Sequence, residues 1–209
     1  MSDQQITLYS FPLSGNAHRV ELALSLLGIP FTLKNVDLKS GEQRSPEFLA
    51  LNPAAKVPVL VDGDVVLSES TAILTYLADK FDDGTWVPFD AAGRAEVHKW
   101  YALSASELQN GPAAARLIQL FHAPFDPRQT RERALQFLER LDAALTGIDF
   151  LVRNRPSFAD VAIYTYVAHA PEGGVPLEDY EHVTAWLTRV EALPGFKPMV
   201  RSPLPAAAA

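Results

Sequence analysis

The sequence contains no cysteine among its 209 residues, and this absence excludes several kinds of chemistry. Without thiols the chain can form no disulfide, no thiolate-metal site and no redox centre of its own. It also lacks any apolar run near the roughly 20 residues that a membrane-spanning helix needs. The first residues, MSDQQITLYS, show no signal-peptide pattern. The sequence therefore predicts a cytoplasmic protein that does not enter a membrane.

Positive charge is also scarce, with 18 Lys and Arg residues against 25 Asp and Glu residues and a net charge of −7. A negative field repels phosphate backbones and anionic membranes, so a nucleic-acid partner is not expected. The glycine-rich nucleotide motifs and the H-E-x-x-H zinc motif are absent from the sequence. The five histidines are scattered along the chain without the close spacing of metal ligands, so no metal site is expected.

The first part of the chain combines strand and helix patterns. Residues 6–11 read as a strand, residues 16–27 place apolar side chains at helical spacing, and residues 31–38 read as a second strand. This order predicts a parallel β-α-β unit. An Asp-Gly pair at 62–63 between two β-branched runs predicts a hairpin, which is followed by a helix at about 70–81.

The second part of the chain shows only helical periodicity. Apolar stripes recur along several segments, and Ser157 followed by Asp160 resembles a capping box at the start of one helix. The chain therefore divides into an α/β domain and an all-α domain. The predicted organisation is a first domain at 1–82, a linker at 83–89, a helical domain at 90–201 and a disordered tail at 202–209.

A polar loop joins the first strand to the first helix in the stretch SFPLSGNAHRVELAL, residues 10–24. Ser14, Gly15 and Asn16 stand where the helix begins, and the first N–H groups of a helix are available to a small anion. Since Ser and Asn are also common helix caps, the loop is either a cap alone or a binding site.

Two later stretches have similar potential. Lys56 and Val57 precede Pro58 at the start of a strand, and a cis bond there would expose the backbone of Val57 sideways. Glu69 and Ser70 begin the next helix, where the hydroxyl and free N–H groups could bind a carboxylate and Glu69 an ammonium group. The plainer interpretations are a loop proline, a solvated lysine and another helix cap. Together the three stretches would hold an extended, peptide-like zwitterion.

Four segments carry a resemblance to a known family. LYSFPLSGNAHRVELALSLLGIPFTL, PEFLALNPAAKVPVLVDG, VLSESTAILTYLADKF and RPSFADVAIY resemble the cytosolic glutathione S-transferases, in order and across nearly the whole chain. The resemblance implies a thioredoxin-like N-terminal domain, an all-helical C-terminal domain, a homodimer, and glutathione as co-substrate with no metal.

The resemblance also implies roles for particular residues. Ser14 lies five residues before Arg19, as the catalytic serine does in serine-type members, and Asn16 is the second candidate for the same role. The cysteines of the zeta, omega and beta types are absent. The glutathione-binding residues carried over from the family are the Val57 main chain before a cis Pro58 for the cysteinyl part, Glu69 and Ser70 for the γ-glutamyl end, and, as looser matches, Gln43 and Lys56 for the glycyl carboxylate.

A pocket for the second substrate is expected where the loop at Leu13 meets a helix carrying Ser106 and Asn110. These two polar residues share a helix face at i, i+4 spacing, although ordinary solvation also explains them. The resemblance thus implies a glutathione transferase whose glutathione thiolate attacks small hydrophobic electrophiles, and also peroxides. The alternative is a non-catalytic member of the fold that binds glutathione, a hydrophobic ligand or a partner protein.

Overall fold

The computed structural model describes residues 5–204, and the chain divides into two compact units. Within the described part, the first unit comprises residues 5–83 and 194–200, and the second comprises 84–193 and 201–204. The segment 194–200 thus groups with the first unit, although it was predicted to belong to the helical domain at 90–201.

The first unit contains a four-stranded mixed sheet in the order β2-β1-β3-β4. The neighbours β1 and β2 are parallel, as the β-α-β order predicts, while β3 is antiparallel to both β1 and β4. The predicted hairpin is present, and both of the first two strands end earlier than predicted. The strands are β1 (Ile6–Ser10), β2 (Phe31–Asn35), β3 (Val59–Asp62) and β4 (Val65–Ser68).

Three helices complete this unit: α1 (Gly15–Leu26), α2 (Pro46–Leu51) and α3 (Ser70–Phe81). The helices α1 and α3 pack against each other and bury their apolar faces, as the spacing of the apolar residues predicts. On the other side of the sheet, Phe48 of α2 packs edge-on against Tyr9 of β1. A 3-10 turn at Glu42–Arg44 precedes α2.

The segment 194–200 is held on α1 by polar contacts. Ser25 Oγ donates to Gly195 O at 2.6 Å, and His18 Nε2 lies 2.8 Å from Lys197 O. Lys197 Nζ also pairs with Glu21 at 2.6 Å. These contacts join residues far apart in sequence, which is why no local pattern predicted them.

The regular elements among the described residues of the second unit are all helical. Its helices are α4 (Ala91–Leu103), α5 (Ala114–Phe121), α6 (Pro127–Ala144), α7 (Phe158–Ala168) and α8 (Glu181–Glu191), with a 3-10 turn at Ala170–Gly173. Between α4 and α5, Ser104–Ala113 forms a π-helical segment that contains Pro112. Pro112 has no N–H to donate to the carbonyl four residues earlier, so the regular helical hydrogen-bond pattern cannot continue there.

The predicted capping box at the start of α7 is confirmed. The backbone amide and the hydroxyl of Ser157 donate to Asp160 Oδ2 at 2.9 and 2.8 Å. Asp160 Oδ1 accepts from the Leu151 amide at 3.0 Å and from Trp186 Nε1 at 2.8 Å. The carboxylate of Asp160 therefore ties the start of α7 to α8 and to the preceding loop.

At the C-terminal side, the amide of Ser202 donates to Glu172 Oε1 at 3.0 Å, although the tail was predicted to be disordered from residue 202. The remainder of that predicted tail, 205–209, lies outside the described residues. Within residues 5–204, no helix is both long enough and apolar enough to cross a membrane.

Candidate functional site

Ser14 is the N-cap of α1, directly after the loop that follows β1. Its backbone is extended, and its Oγ accepts from the Ala17 amide at 3.2 Å. The side chain is half-buried. Because the oxygen serves as the acceptor, the hydroxyl proton can still be donated to a group outside the helix. The helix macrodipole adds partial positive charge at this end of α1, which favours an anion there.

Asn16 and Ser70 lie close together because both contact one guanidinium group. Arg19 Nη1 donates to Asn16 Oδ1 at 3.0 Å and to Ser70 Oγ at 2.7 Å. Arg19 is 2% exposed and Ser70 is 6% exposed, so this contact is in the interior of the unit. The structure thus brings the start of α1 and the start of α3 to the same place, as the predicted site requires.

Glu69 occupies the N-cap position of α3 with an unusual backbone conformation. Its φ is 66° and its side chain does not cap the helix. Non-glycine residues rarely adopt a positive φ, and such residues concentrate at functional sites. The exposed carboxylate of Glu69 therefore lies beside the start of α3 without capping it, and it can pair there with an ammonium group.

The loop before β3 is organised by Asn52, which is 5% exposed. Its Nδ2 donates to Lys56 O at 2.8 Å, and its Oδ1 accepts from the Ala54 amide at 3.1 Å. The following Val57–Pro58 peptide bond is cis. The side chain of Val57 packs on the apolar cluster around Phe48 and Val59. This packing holds Val57 in place beside that cluster.

Replacing Ala55 in this loop with glycine is expected to raise the free energy of unfolding by about 0.5–1 kcal/mol. Ala55 has a φ of 54°, which an alanine adopts at a cost and a glycine does not. The gain is partly offset because glycine has more freedom in the unfolded chain. Urea unfolding measures the difference.

Ala54→Gly is the matched control for Ala55→Gly, since Ala54 is the adjacent residue and its φ is not positive. Only the entropic cost of glycine applies at that position, so this variant is expected to be less stable than the parent. If the urea midpoints of both variants move in the same direction, the assignment of backbone strain to Ala55 is contradicted.

Gln43 and Lys56 are placed differently from each other. The Nε2 group of Gln43 faces Leu38 O at 3.5 Å, and its Oε1 is buried without a hydrogen-bond partner among residues 5–204. The amide of Gln43 is therefore turned toward the interior. Lys56 is exposed, and its ammonium group is available to a carboxylate in solution. The role of each residue toward glutathione stays a prediction.

The residues predicted for the second-substrate pocket belong to different units, Leu13 to the first and Ser106 and Asn110 to the second. Ser106 Oγ donates to Ala102 O at 2.7 Å, and Asn110 Nδ2 donates to Ser106 O at 2.8 Å. Both residues line a polar cavity of about 490 Å³, together with Glu107, Arg133, Gln136 and Arg140. Because polar and charged side chains form this cavity, it does not suit an apolar ligand, and the predicted roles of all three residues remain untested.

Two residues that organise the site were not predicted to be part of it. Arg19 served only to locate the catalytic serine, yet its i, i+3 spacing from Asn16 is a signal for their contact. Asn52 precedes a proline, and an Asn-Pro pair is a turn signal. The contact between Arg19 and Ser70 joins residues 51 positions apart, and nothing local in the sequence indicates it.

Comparisons with known proteins point to a single family. Residues 4–79 match the model of the glutathione S-transferase N-terminal domain, and residues 123–194 match that of the C-terminal domain. Glutathione S-transferase 2 of Anopheles gambiae is 32% identical over 193 residues, covering 91% of this chain and 92% of the relative.

Solved structures show the same similarity. The glutathione S-transferase from Pseudomonas fluorescens superimposes with a TM-score of 0.87 at 33% identity, covering 93% of this chain and 98% of that one. A glutathione transferase homologue from Drosophila mojavensis, solved with bound glutathione, has a TM-score of 0.83 at 26% identity, with 91% and 89% covered.

Proposed function

The chain belongs to the glutathione S-transferase family, and on this premise we propose that it activates the thiol of glutathione through Ser14. Membership makes it a glutathione-dependent transferase with glutathione as co-substrate. The proposal concerns the finer step, in which the bound thiol is held as a thiolate that attacks a small hydrophobic electrophile. The leaving group departs with the bonding electrons, and the sulfur keeps the new bond to carbon.

The observation that carries this proposal is the position of Ser14 as N-cap of α1. Its oxygen already accepts from the Ala17 amide at 3.2 Å, so its proton is the part of the hydroxyl that a ligand can use. Ser14 need not ionise for this role. It donates a hydrogen bond to the thiolate, and the positive end of the helix adds electrostatic support.

The free energies involved are of the right size. A free thiol has a pKa near 8.5, and lowering that pKa by about two units takes roughly 2.7 kcal/mol. A hydrogen bond from a neutral donor to a charged acceptor supplies about 1.5–3 kcal/mol, and a helix N-terminus supplies about 0.3–1 kcal/mol. The two contributions together are sufficient to ionise most of the bound thiol near neutral pH.

The rest of glutathione is proposed to lie across the first unit. The Val57 backbone before Pro58 pairs with the cysteinyl part, while Ser70 and the amides at the start of α3 take the γ-glutamyl carboxylate. Glu69 takes the ammonium group, and Lys56 is the better placed of the two candidates for the glycyl carboxylate because it is exposed. The same thiolate attacks the terminal oxygen of an organic hydroperoxide, so that the O–O bond breaks, the sulfur becomes a sulfenic acid, and the alkoxide takes a proton from water and leaves as the alcohol. A second glutathione thiol then displaces water from the sulfenic acid and gives glutathione disulfide.

Glutathione binding and turnover test the proposal directly. We expect saturable binding of glutathione by titration calorimetry, and conjugation of a chromogenic aryl halide with a rate that depends on glutathione concentration. Reduction of cumene hydroperoxide tests the peroxide reaction separately. Saturable binding with no turnover on any of a broad panel of electrophiles would instead support the non-catalytic alternative.

The family also supports a homodimer as the proposed assembly and the cytoplasm as the proposed location. Light scattering of the full chain distinguishes a dimer from a monomer by mass. A monomer that still conjugates glutathione would contradict the first of these two proposals without affecting the catalytic one.

A further inference from the structure

We propose that Arg19 is a positioning residue. It donates to an oxygen atom of Asn16 and of Ser70, and each of these side chains therefore presents its own hydrogen-bond donor to glutathione. The inference rests on the proposed glutathione site and adds to it a residue that does not itself touch the ligand. It follows from one nitrogen atom, Arg19 Nη1, which contacts Asn16 Oδ1 at 3.0 Å and Ser70 Oγ at 2.7 Å.

The orientation of the Asn16 amide follows from the chemistry of its neighbour. A guanidinium group has only donors, so the atom of Asn16 that faces Arg19 must be the carbonyl oxygen. The NH2 group of Asn16 is therefore the end of the amide turned away from Arg19. Beside Ser14, a group of this polarity can donate to a thiolate, whereas the opposite orientation would place an oxygen there and repel it.

The same reasoning applies to Ser70. Its oxygen accepts from Arg19, and the hydroxyl makes no other hydrogen bond to the described residues. The proton of Ser70 is consequently left for an external acceptor. A carboxylate at the start of α3 is such an acceptor, and the first amides of the helix point toward the same region.

Helix stability does not account for an arginine at this place. The side chain is 2% exposed, and removing a charge from water is costly. Its guanidinium also reaches back to Asn16 in the first turn of α1, where the helix dipole disfavours a cation. A single guanidinium nitrogen that donates to acceptors of two separate helices does account for it. A lysine ammonium, a compact charge on a flexible stem, holds two such acceptors less rigidly.

The decisive experiment compares Arg19→Gln with the parent by two measurements on the complex with glutathione. The first is the dissociation constant of glutathione, and the second is the pKa of its bound thiol, from a pH titration of thiolate absorbance at saturation. We expect Arg19→Gln to raise the dissociation constant about tenfold and the thiol pKa by about one unit. Arg19→Lys is expected to recover part of both effects.

Arg189→Gln is the matched control. Arg189 likewise donates to two acceptors, Asp149 O at 3.0 Å and Ile148 O at 3.5 Å, but it is only partly buried and belongs to the second unit. This variant is expected to lower stability while leaving both glutathione measurements within about twofold of the parent. If Arg19 has only a structural role, Arg19→Gln will also lower stability and leave both glutathione measurements within about twofold of the parent. That result would overturn the proposal.

Double-mutant cycles identify the groups through which Arg19 acts. In an Asn16→Ala background, Arg19→Gln should cause no further rise in the thiol pKa. In a Ser70→Ala background, it should cause no further rise in the dissociation constant. Fully additive effects in both cycles would overturn the proposal.

A crystal structure of the unaltered protein with glutathione provides a test that needs no variant to fold. We expect the amide nitrogen of Asn16 and the oxygen of Ser70 to contact the ligand while both groups keep their bonds to Arg19. Loss of either bond to Arg19 in the complex overturns the inference alone. Absence of saturable glutathione binding by the unaltered protein overturns the proposed function, and this inference with it.

Discussion

Replacement of Asp160 with alanine is expected to lower the free energy of unfolding by about 4 kcal/mol. The carboxylate is 1% exposed and accepts four hydrogen bonds, two at each oxygen. Its removal leaves four donors in the interior without an acceptor, including the indole N–H of Trp186. Urea unfolding followed by tryptophan fluorescence measures the loss, and a large fraction of the variant is expected in the insoluble fraction on expression.

Asp160→Asn separates the hydrogen bonds from the volume of the side chain. The amide has one oxygen and one NH2 group, so one orientation turns the NH2 group toward the Leu151 amide and the Trp186 indole, which are both donors. The other orientation turns it toward the Ser157 amide, a donor, and the Ser157 hydroxyl, which can turn to accept. We therefore expect this nearly isosteric change to cost about 2–3 kcal/mol. The control is Asp126→Ala, which removes a single, exposed cap bond to Gln129 at the start of α6 and should cost about 1 kcal/mol. A cost of Asp160→Ala no larger than that of the control would contradict the assignment.

The elements predicted best are those whose stabilising interactions are local. The helix predicted at about 70–81 is found at Ser70–Phe81, because its apolar residues recur at helical spacing over three turns. The hairpin follows from the composition of its turn, and the capping box follows from the spacing of Ser157 and Asp160. In each case the signal and the contacts lie within a few residues of each other.

The missed elements depend on short or distant interactions. The helix α2 has six residues, too few to show a helical period, although Ser45 caps it and Pro46 begins it. The π-helical segment follows directly on α4, and helical periodicity alone does not distinguish a π-helical segment from an α-helix. The segment 194–200 has no periodicity, and its contacts to α1 are polar and long-range.

The candidate site also combines features with local sequence signals and features that depend on long-range contacts. Ser14 and Ser70 were found because each begins a helix, and helix starts have a sequence signature. Their proximity in space was expected without any local signal for it, since it depends on the parallel crossover and on a buried arginine. Arg19 connects these two helix starts, although in the sequence it served only to locate Ser14.

Ser14→Ala is expected to lower kcat/KM for conjugation about tenfold to a hundredfold, because the transition state loses one hydrogen bond to a charged sulfur. The pKa of the bound thiol should rise by about one to two units. The dissociation constant of glutathione should change little, since the other contacts along the tripeptide remain. Thiolate absorbance and steady-state kinetics on the same preparation measure all three quantities.

Loss of the helix cap must be distinguished from loss of the donor, because Ser14 serves both roles in the proposal. Ser45→Ala is the matched control, since Ser45 caps α2 by accepting from the Phe48 amide at 3.2 Å, the same distance as in the cap of α1. Each alanine should cost about 1 kcal/mol of stability. Only Ser14→Ala should raise the thiol pKa. If that variant leaves the thiol pKa unchanged and Asn16→Ala raises it, the donor is the NH2 group of Asn16, the end of the amide that does not bond Arg19.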